Sequence, residues 1–334
     1  MTAMVKLANP MRRFWLVVWI GWVLLAVAAA IYARLAPNPV PAALAIPIAL
    51  AFLVEYPFYL LPGFPAARER FVARGKPRAA ALLAVSAIAP WLIYAIGTGH
   101  FSLWALSALS IIAAVMCFWY VVFPAHPATD LAYLSIFAAV MLFKVFALIY
   151  PVPWPKIDIS ALGKLTLIRV MAFSFVAIRG NVAAEYRFMP TAREGLAGLR
   201  WFAMLLPVTG VAYWALGLVA VRQHPTNIAL VIGIFFGILW STAIFEEFIF
   251  RGLLLPWFEQ WTSSPAAALI FTSLLFGAVH LPFHFHGTFP NWRFSIVAAI
   301  LGLFCGLARR QTGGIQAGMV AHALTVAVWK MFLQ

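Results

Sequence analysis

Runs of about twenty mostly apolar residues recur from one end of this chain to the other, and that is the length a bilayer-spanning helix needs. Long runs extend from Phe14 to Ala33, Ala42 to Leu61, Ala79 to Gly97, Ser102 to Pro124, Leu131 to Pro151, Trp201 to Val219, Ile228 to Leu255 and Ile315 to Phe332. Shorter ones cover Leu165 to Ile178, where Arg169 interrupts, Ala266 to Leu281 and Phe294 to Leu307. The pattern predicts an all-α fold, a polytopic transmembrane helix bundle of about ten helices. The residue content excludes the alternative of a soluble domain. Only 10% of the residues are charged and 65% are hydrophobic, whereas soluble domains carry about 25% charged residues.

A net charge of +14 would suggest nucleic acid for a soluble protein. Here the basic residues fall in short segments between apolar runs, which is the positive-inside signature of membrane proteins, so no nucleic-acid partner is expected. The segment holding Arg68, Arg70, Arg74, Lys76 and Arg78 is expected on the cytoplasmic side, as is the amino terminus with Lys6, Arg12 and Arg13. Ala28-Ala29-Ala30 imitates a signal-peptidase site, but the run around it exceeds the roughly 7 to 15 residues of a signal-peptide core, and an uncleaved anchor is expected. Cys117 and Cys305 lie inside apolar runs and imply no disulfide framework.

The extended polar stretch from Asn181 to Arg200, with Glu185, Arg187, Arg193 and Glu194, suggests a boundary. We expect an amino-terminal transmembrane bundle of unassigned role over 1–195 and a second bundle over 196–334. In the first, Glu55 and Lys144 read either as an intramembrane pair or, the favoured reading, as side chains snorkelling to head-groups.

The costly groups concentrate in the second. Glu246-Glu247 and Arg251 close a long apolar run, and an ionisable side chain in a buried membrane helix costs from about 2.5 kcal/mol upward, so it faces a cavity or a partner. Glu247 and Arg251 are four residues apart on one helical face, while Glu246 is rotated about 100° away. One carboxylate is then neutralised by arginine and the other is left to accept a proton from water. A buried Glu-Arg staple with a neighbouring Glu fits the same spacing. His280 follows Phe276 by four residues in a second apolar helix, and His322 sits in the last. Lining one cavity would account for all of these groups together.

These residues resemble the three motifs of the CPBP family of intramembrane proteases, which includes the CAAX prenyl endopeptidases. The resemblance rests on Glu246-Glu247-x-x-x-Arg251, Phe276-x-x-x-His280 and a histidine in the final helix, with Phe250 to Leu254, Gly302 to Gly306 and Arg309 to Gly313 as flanking text. It spans Trp201 to Phe332 and implies a CPBP-like core that hydrolyses a peptide bond of a membrane-anchored or lipid-modified protein. By that resemblance Glu246 activates water, Glu247 and Arg251 assist and hold its orientation, His280 positions water or the scissile carbonyl, and His322 stabilises the oxyanion. The partners implied are a membrane-anchored peptide or protein substrate and the bilayer, and the location implied is integral to a bacterial cytoplasmic membrane. One departure stands out: the family usually has Asn or Asp four residues after the last histidine, and this chain has Val326, with Thr325 about 100° off that face.

No cofactor is expected. The alternative is zinc, held by two of His280, His284 and His286 with Glu246, although Pro282 breaks the helical spacing between the first two. At about 1.5 Å rise per residue, Glu246 lies about 27 Å along its helix and His280 about 21 Å along its own, so the two levels meet only if the second helix starts well below the bilayer surface or re-enters. A non-catalytic transporter, immunity or scaffold factor is the rival reading. It would string the polar groups along a path, and a transporter would often show an internal repeat, which this chain lacks.

Overall fold

The computed structural model of the protein describes residues 10–35, 38–155, 157–180, 186–218, 228–282 and 289–332. Among them are thirteen helices and no strand, as expected where lipid leaves each backbone polar group to be satisfied within its own helix. Eight are long and apolar enough to cross a membrane. The chain forms two compact units, Met1–Asn181 and Val182–Gln334.

The first unit begins with α1 (Pro10–Leu35), α2 (Ala42–Leu60, drawn on by a 3-10 turn to Gly63), the short α3 (Pro65–Val72) and α4 (Lys76–Gly97). It continues with α5 (Leu103–Val122), α6 (Pro127–Leu142), α7 (Val145–Ile149) and α8, whose α-helical part is Ser160–Phe173 and whose last turns, Ser174–Arg179, are π. The segment interrupted by Arg169, read from sequence as a short and ambiguous crossing, is the centre of this unit. It spans Ser160–Arg179, and most of it is buried.

Glu55 supplies the reason. It neither pairs with Lys144 nor snorkels. Arg169 Nε donates to Glu55 Oε1 at 2.5 Å and Nη2 to Oε2 at 3.1 Å. Two further guanidinium bonds reach Ser86 Oγ and Ser86 O at 3.0 and 2.9 Å, and the Phe58 ring lies 5.2 Å from the guanidinium carbon. With every charged atom engaged, α8 can sit among α2 and α4 at no cost of an unpaired charge. Lys144 instead is exposed with φ of 53°. That left-handed residue ends α6 and splits the single span expected over Leu131 to Pro151 into α6 and α7.

The second unit opens at a polar stretch fastened by its own chemistry. Thr191 and Glu194 form a reciprocal capping box at the start of α9 (Ala192–Ala215), and Arg187 Nη2 donates to Glu194 Oε1 at 2.7 Å. Next comes α10, one continuous run over 228–262 from Ile228–Ile238 to Leu255–Thr262, with π turns at Leu239–Ala243 and Phe248–Leu254. It is followed by α11 (Pro265–Ala278), α12 (Trp292–Thr312) and α13 (Gln316–Phe332). α11 packs mainly on α12, and α13 mainly on α9. Gly277 allows the first approach, because a Cβ there would lie 2.5 Å from Ser295 O and 2.9 Å from Ala299 Cβ.

Candidate functional site

Glu246 and Glu247 occupy the single α turn, Ile244–Glu247, between the two π turns of α10. A π turn closes i→i+5 bonds and changes which side chains share a face, and such turns recur at functional sites. The two carboxylates part company here. Glu247 is fully buried and points into the bundle, while the Glu246 side chain retains 15% of its exposure and faces a cavity.

Glu247 is held from two sides through one oxygen. Arg251 Nη1 donates to Oε1 at 3.0 Å, and His322 Nδ1 lies 3.1 Å from the same atom. A carboxylate accepts only, so His322 carries a proton on Nδ1 and turns Nε2 outward. Nε2 stands 3.7 Å from Glu246 Oε2. Arg251 reaches past Glu247 to donate to Gly302 O at 2.7 Å, and its guanidinium carbon lies 4.5 Å from the centre of the Phe276 ring. The approach requires glycine on both neighbouring helices. A Cβ on Gly318 would meet Glu247 Oε2 at 2.8 Å, and one on Gly302 would meet Arg251 Nη2 at 3.0 Å.

His280 lies just past the end of α11, in the turn that precedes Pro282. Its Nδ1 is 2.7 Å from Phe276 O and donates to it, which leaves Nε2 as the acceptor. Phe276 also lies against both imidazoles, with ring centres 4.9 Å from His280 and 5.8 Å from His322. α11 has only 14 residues, shorter than a full crossing, and His280 at its end shares a cavity with Glu246.

That cavity, about 260 Å³, is lined by Glu246, His280 and His322 together with apolar walls from Tyr213, Phe294 and Trp329. Of the five residues expected at the site, three therefore meet on one space. Glu247 and Arg251 stand behind it, where Glu247 contacts His322 and Arg251. Glu246 Oε2 and Glu247 Oε2 are buried and accept no hydrogen bond among the described residues.

Val326 lines the cavity too and packs with Tyr213, Val297 and Trp329. Thr325 is beside it, but its hydroxyl donates to Ala321 O at 2.8 Å. Asn291 is buried and caps α12 by accepting from Phe294 N. His284 and His286 lie outside the described residues. Gly318 and Trp329 escaped the sequence reading, and Gly302 entered it only as flanking text, since a small or aromatic residue inside an apolar run has no distinguishing mark there.

Glu247, Cys305 and His322 bring one ligand atom each within 4.8 Å of one another. Of these groups, His322 Nδ1 donates to Glu247 Oε1, Cys305 Sγ lies 3.5 Å from Gly318 O, and Arg251 Nη1 donates to Glu247 Oε1 at 3.0 Å.

Comparison with known families gives the class. One stretch of the second unit matches a family of the CPBP class of intramembrane proteases. More narrowly, residues 227–328 match the family described as type II CAAX prenyl endopeptidase Rce1-like, a stretch wholly inside the second unit that includes all five site residues. No curated protein and no solved structure matches the chain.

Proposed function

We propose that the protein is a glutamate-dependent intramembrane endopeptidase that cleaves a membrane-anchored or lipid-modified protein, with the water held between Glu246, His280 and His322. The observation that carries this reading is the meeting of those three side chains on one small, largely apolar cavity. Glu246 takes a proton from the water as its oxygen bonds to the scissile carbonyl carbon. The resulting oxyanion accepts a hydrogen bond from Nε2–H of a His322 that carries a proton on each nitrogen. Two carboxylates, Arg251 and that imidazolium then sum to zero charge inside the bundle. Collapse of the intermediate breaks the C–N bond, and the proton held by Glu246 passes to the leaving nitrogen. His280, held through its Nδ1 bond to Phe276 O, orients the water. No metal takes part in this scheme.

The test is cleavage of a library of membrane-anchored peptides co-expressed with the protein, read by mass spectrometry with and without a chelator. Glu246→Gln is expected to lower product by about 10²-fold or more, the usual contribution of a positioned general base, with protein level unchanged and no chelator effect. Equal product from wild type and variant would overturn the role of Glu246. Loss on chelation restored by zinc would replace it with the metal-dependent mechanism.

A further inference from the structure

We propose that the first unit carries a binding site for an anionic phospholipid, with Arg70 and Arg74 on its headgroup and the cavity between α1, α2 and α4 on its acyl chains. This cavity, about 660 Å³, falls in the size range of ligand sites and lies entirely within the first unit. Its walls are Phe14, Phe58, Leu61, Phe71 and Leu82, and the two arginines are the charged residues on it. An apolar, aromatic volume with two cations and no anion on its wall is complementary to one kind of molecule available in a bilayer.

The place of α3 supports this. It connects two membrane-crossing helices, Ala42–Gly63 and Lys76–Gly97, so it lies at a surface of the bilayer, at headgroup level. Unlike its neighbours it is polar, with Arg68, Glu69 and Arg70 in its eight residues.

It is also fixed in place. Arg68 Nη1 donates to Pro62 O at 2.8 Å, Phe64 stacks edge-on against Phe14 at 5.3 Å, and Phe71 does the same against Phe173 at 5.1 Å. Its Ala67 is buried. Arg70 and Arg74, four residues apart, are exposed and form no hydrogen bond or ion pair among the described residues. Arg70 lies in the last turn of α3 and Arg74 in the turn just past its end. A phosphate between the two like charges removes their repulsion, and the anchored α3 with its closing turn presents both cations without the loss of freedom that a flexible basic tail would incur. Lys76 and Arg78, in the first turn of α4 and equally exposed, are not on the cavity wall. They supply an internal control for surface charge in general.

The experiment uses the full chain purified in detergent, offered equal amounts of phosphatidylglycerol and phosphatidylcholine and read by native mass spectrometry. Wild type is expected to retain phosphatidylglycerol preferentially. Substituting both R70Q and R74Q lowers that preference by about fivefold for each arginine removed, the usual effect of one cation at an anionic surface. Substituting K76Q and R78Q changes it by about twofold or less, because those charges act only through screened solvent. A73W, which puts an indole at an exposed position on the cavity rim, reduces retention of both lipids. All the substituted side chains are exposed, and an unchanged thermal midpoint identifies folded variants. Equal losses from the two pairs of charge variants would show generic surface attraction and overturn the proposal, as would wild type with no preference or A73W with full retention.

Discussion

Glu247 Oε1 accepts from Arg251 and from His322 at once, and this one atom converts a helical staple into a device that aims an imidazole. Removing the cation tests the arrangement. Arg251→Met leaves Glu247 buried without its cation and Gly302 O without its donor, and is expected to lower stability by about 3–5 kcal/mol, read as a fall in thermal midpoint, together with cleavage. Joining it to Glu247→Leu replaces the pair with apolar groups and is expected to restore stability but not cleavage, since His322 then has no acceptor for Nδ1–H. Recovery of both would mean that Glu247 and Arg251 matter only for folding. The four-residue spacing of Glu247 and Arg251 was legible in the sequence because a helix puts such residues on one face. The contact of Glu247 with His322, 75 positions away, was not, for spacing along a helix says nothing about which neighbour its buried face will meet. The partner of Glu55 was hidden for the same reason: Arg169 and Lys144 are both single cations in apolar runs, and only packing distinguishes the one buried at Glu55 from the one left in the open.

At the scale of elements, the apolar runs disclosed most helices, because length and hydropathy are all a bilayer demands of a crossing. They did not disclose where a helix changes its pitch or stops. The π turns on either side of Glu246-Glu247 leave no compositional trace, and the break at Lys144 depends on one left-handed residue inside an otherwise apolar segment. α11 is the element on which the site depends most closely: it ends two residues before His280, and its seat on α12 rests on Gly277, whose carbonyl accepts from Ser295 Oγ at 2.7 Å. Gly277→Ala places a methyl into Ser295 O and Ala299 and is expected to cost about 1–3 kcal/mol through overpacking, with a loss of cleavage as His280 shifts. Gly237→Ala on α10 meets nothing within 4 Å and is expected to be neutral or to stabilise by up to about 1 kcal/mol. Thermal unfolding of the two variants side by side checks the contrast, and equal midpoints would show that the α11–α12 contact yields without strain.

For the whole molecule, the two units solve the same difficulty of charge in lipid for different ends. In the second unit Glu246 is left with an oxygen that accepts no hydrogen bond among the described residues, beside a cavity. In the first, Arg169 satisfies both oxygens of Glu55, and Phe58 and Ser86 enclose the guanidinium. A fully compensated pair of this kind is expected to specify how α2, α4 and α8 assemble while adding little net stability, because the desolvation of two ions opposes their attraction. The consequence is an asymmetry between one substitution and two. Glu55→Ala isolates a buried guanidinium and is expected to cost about 3–5 kcal/mol, whereas Glu55→Leu combined with Arg169→Met is expected to be neutral or stabilising. Ser86 keeps a partner in the double variant, since its hydroxyl already donates to Leu83 O at 2.7 Å. Thermal midpoints of the purified proteins decide the matter: a double variant as unstable as the single would mean that the ion pair contributes net stability, and a single variant as stable as wild type would mean that water reaches Arg169 and the pair is not needed to place α8.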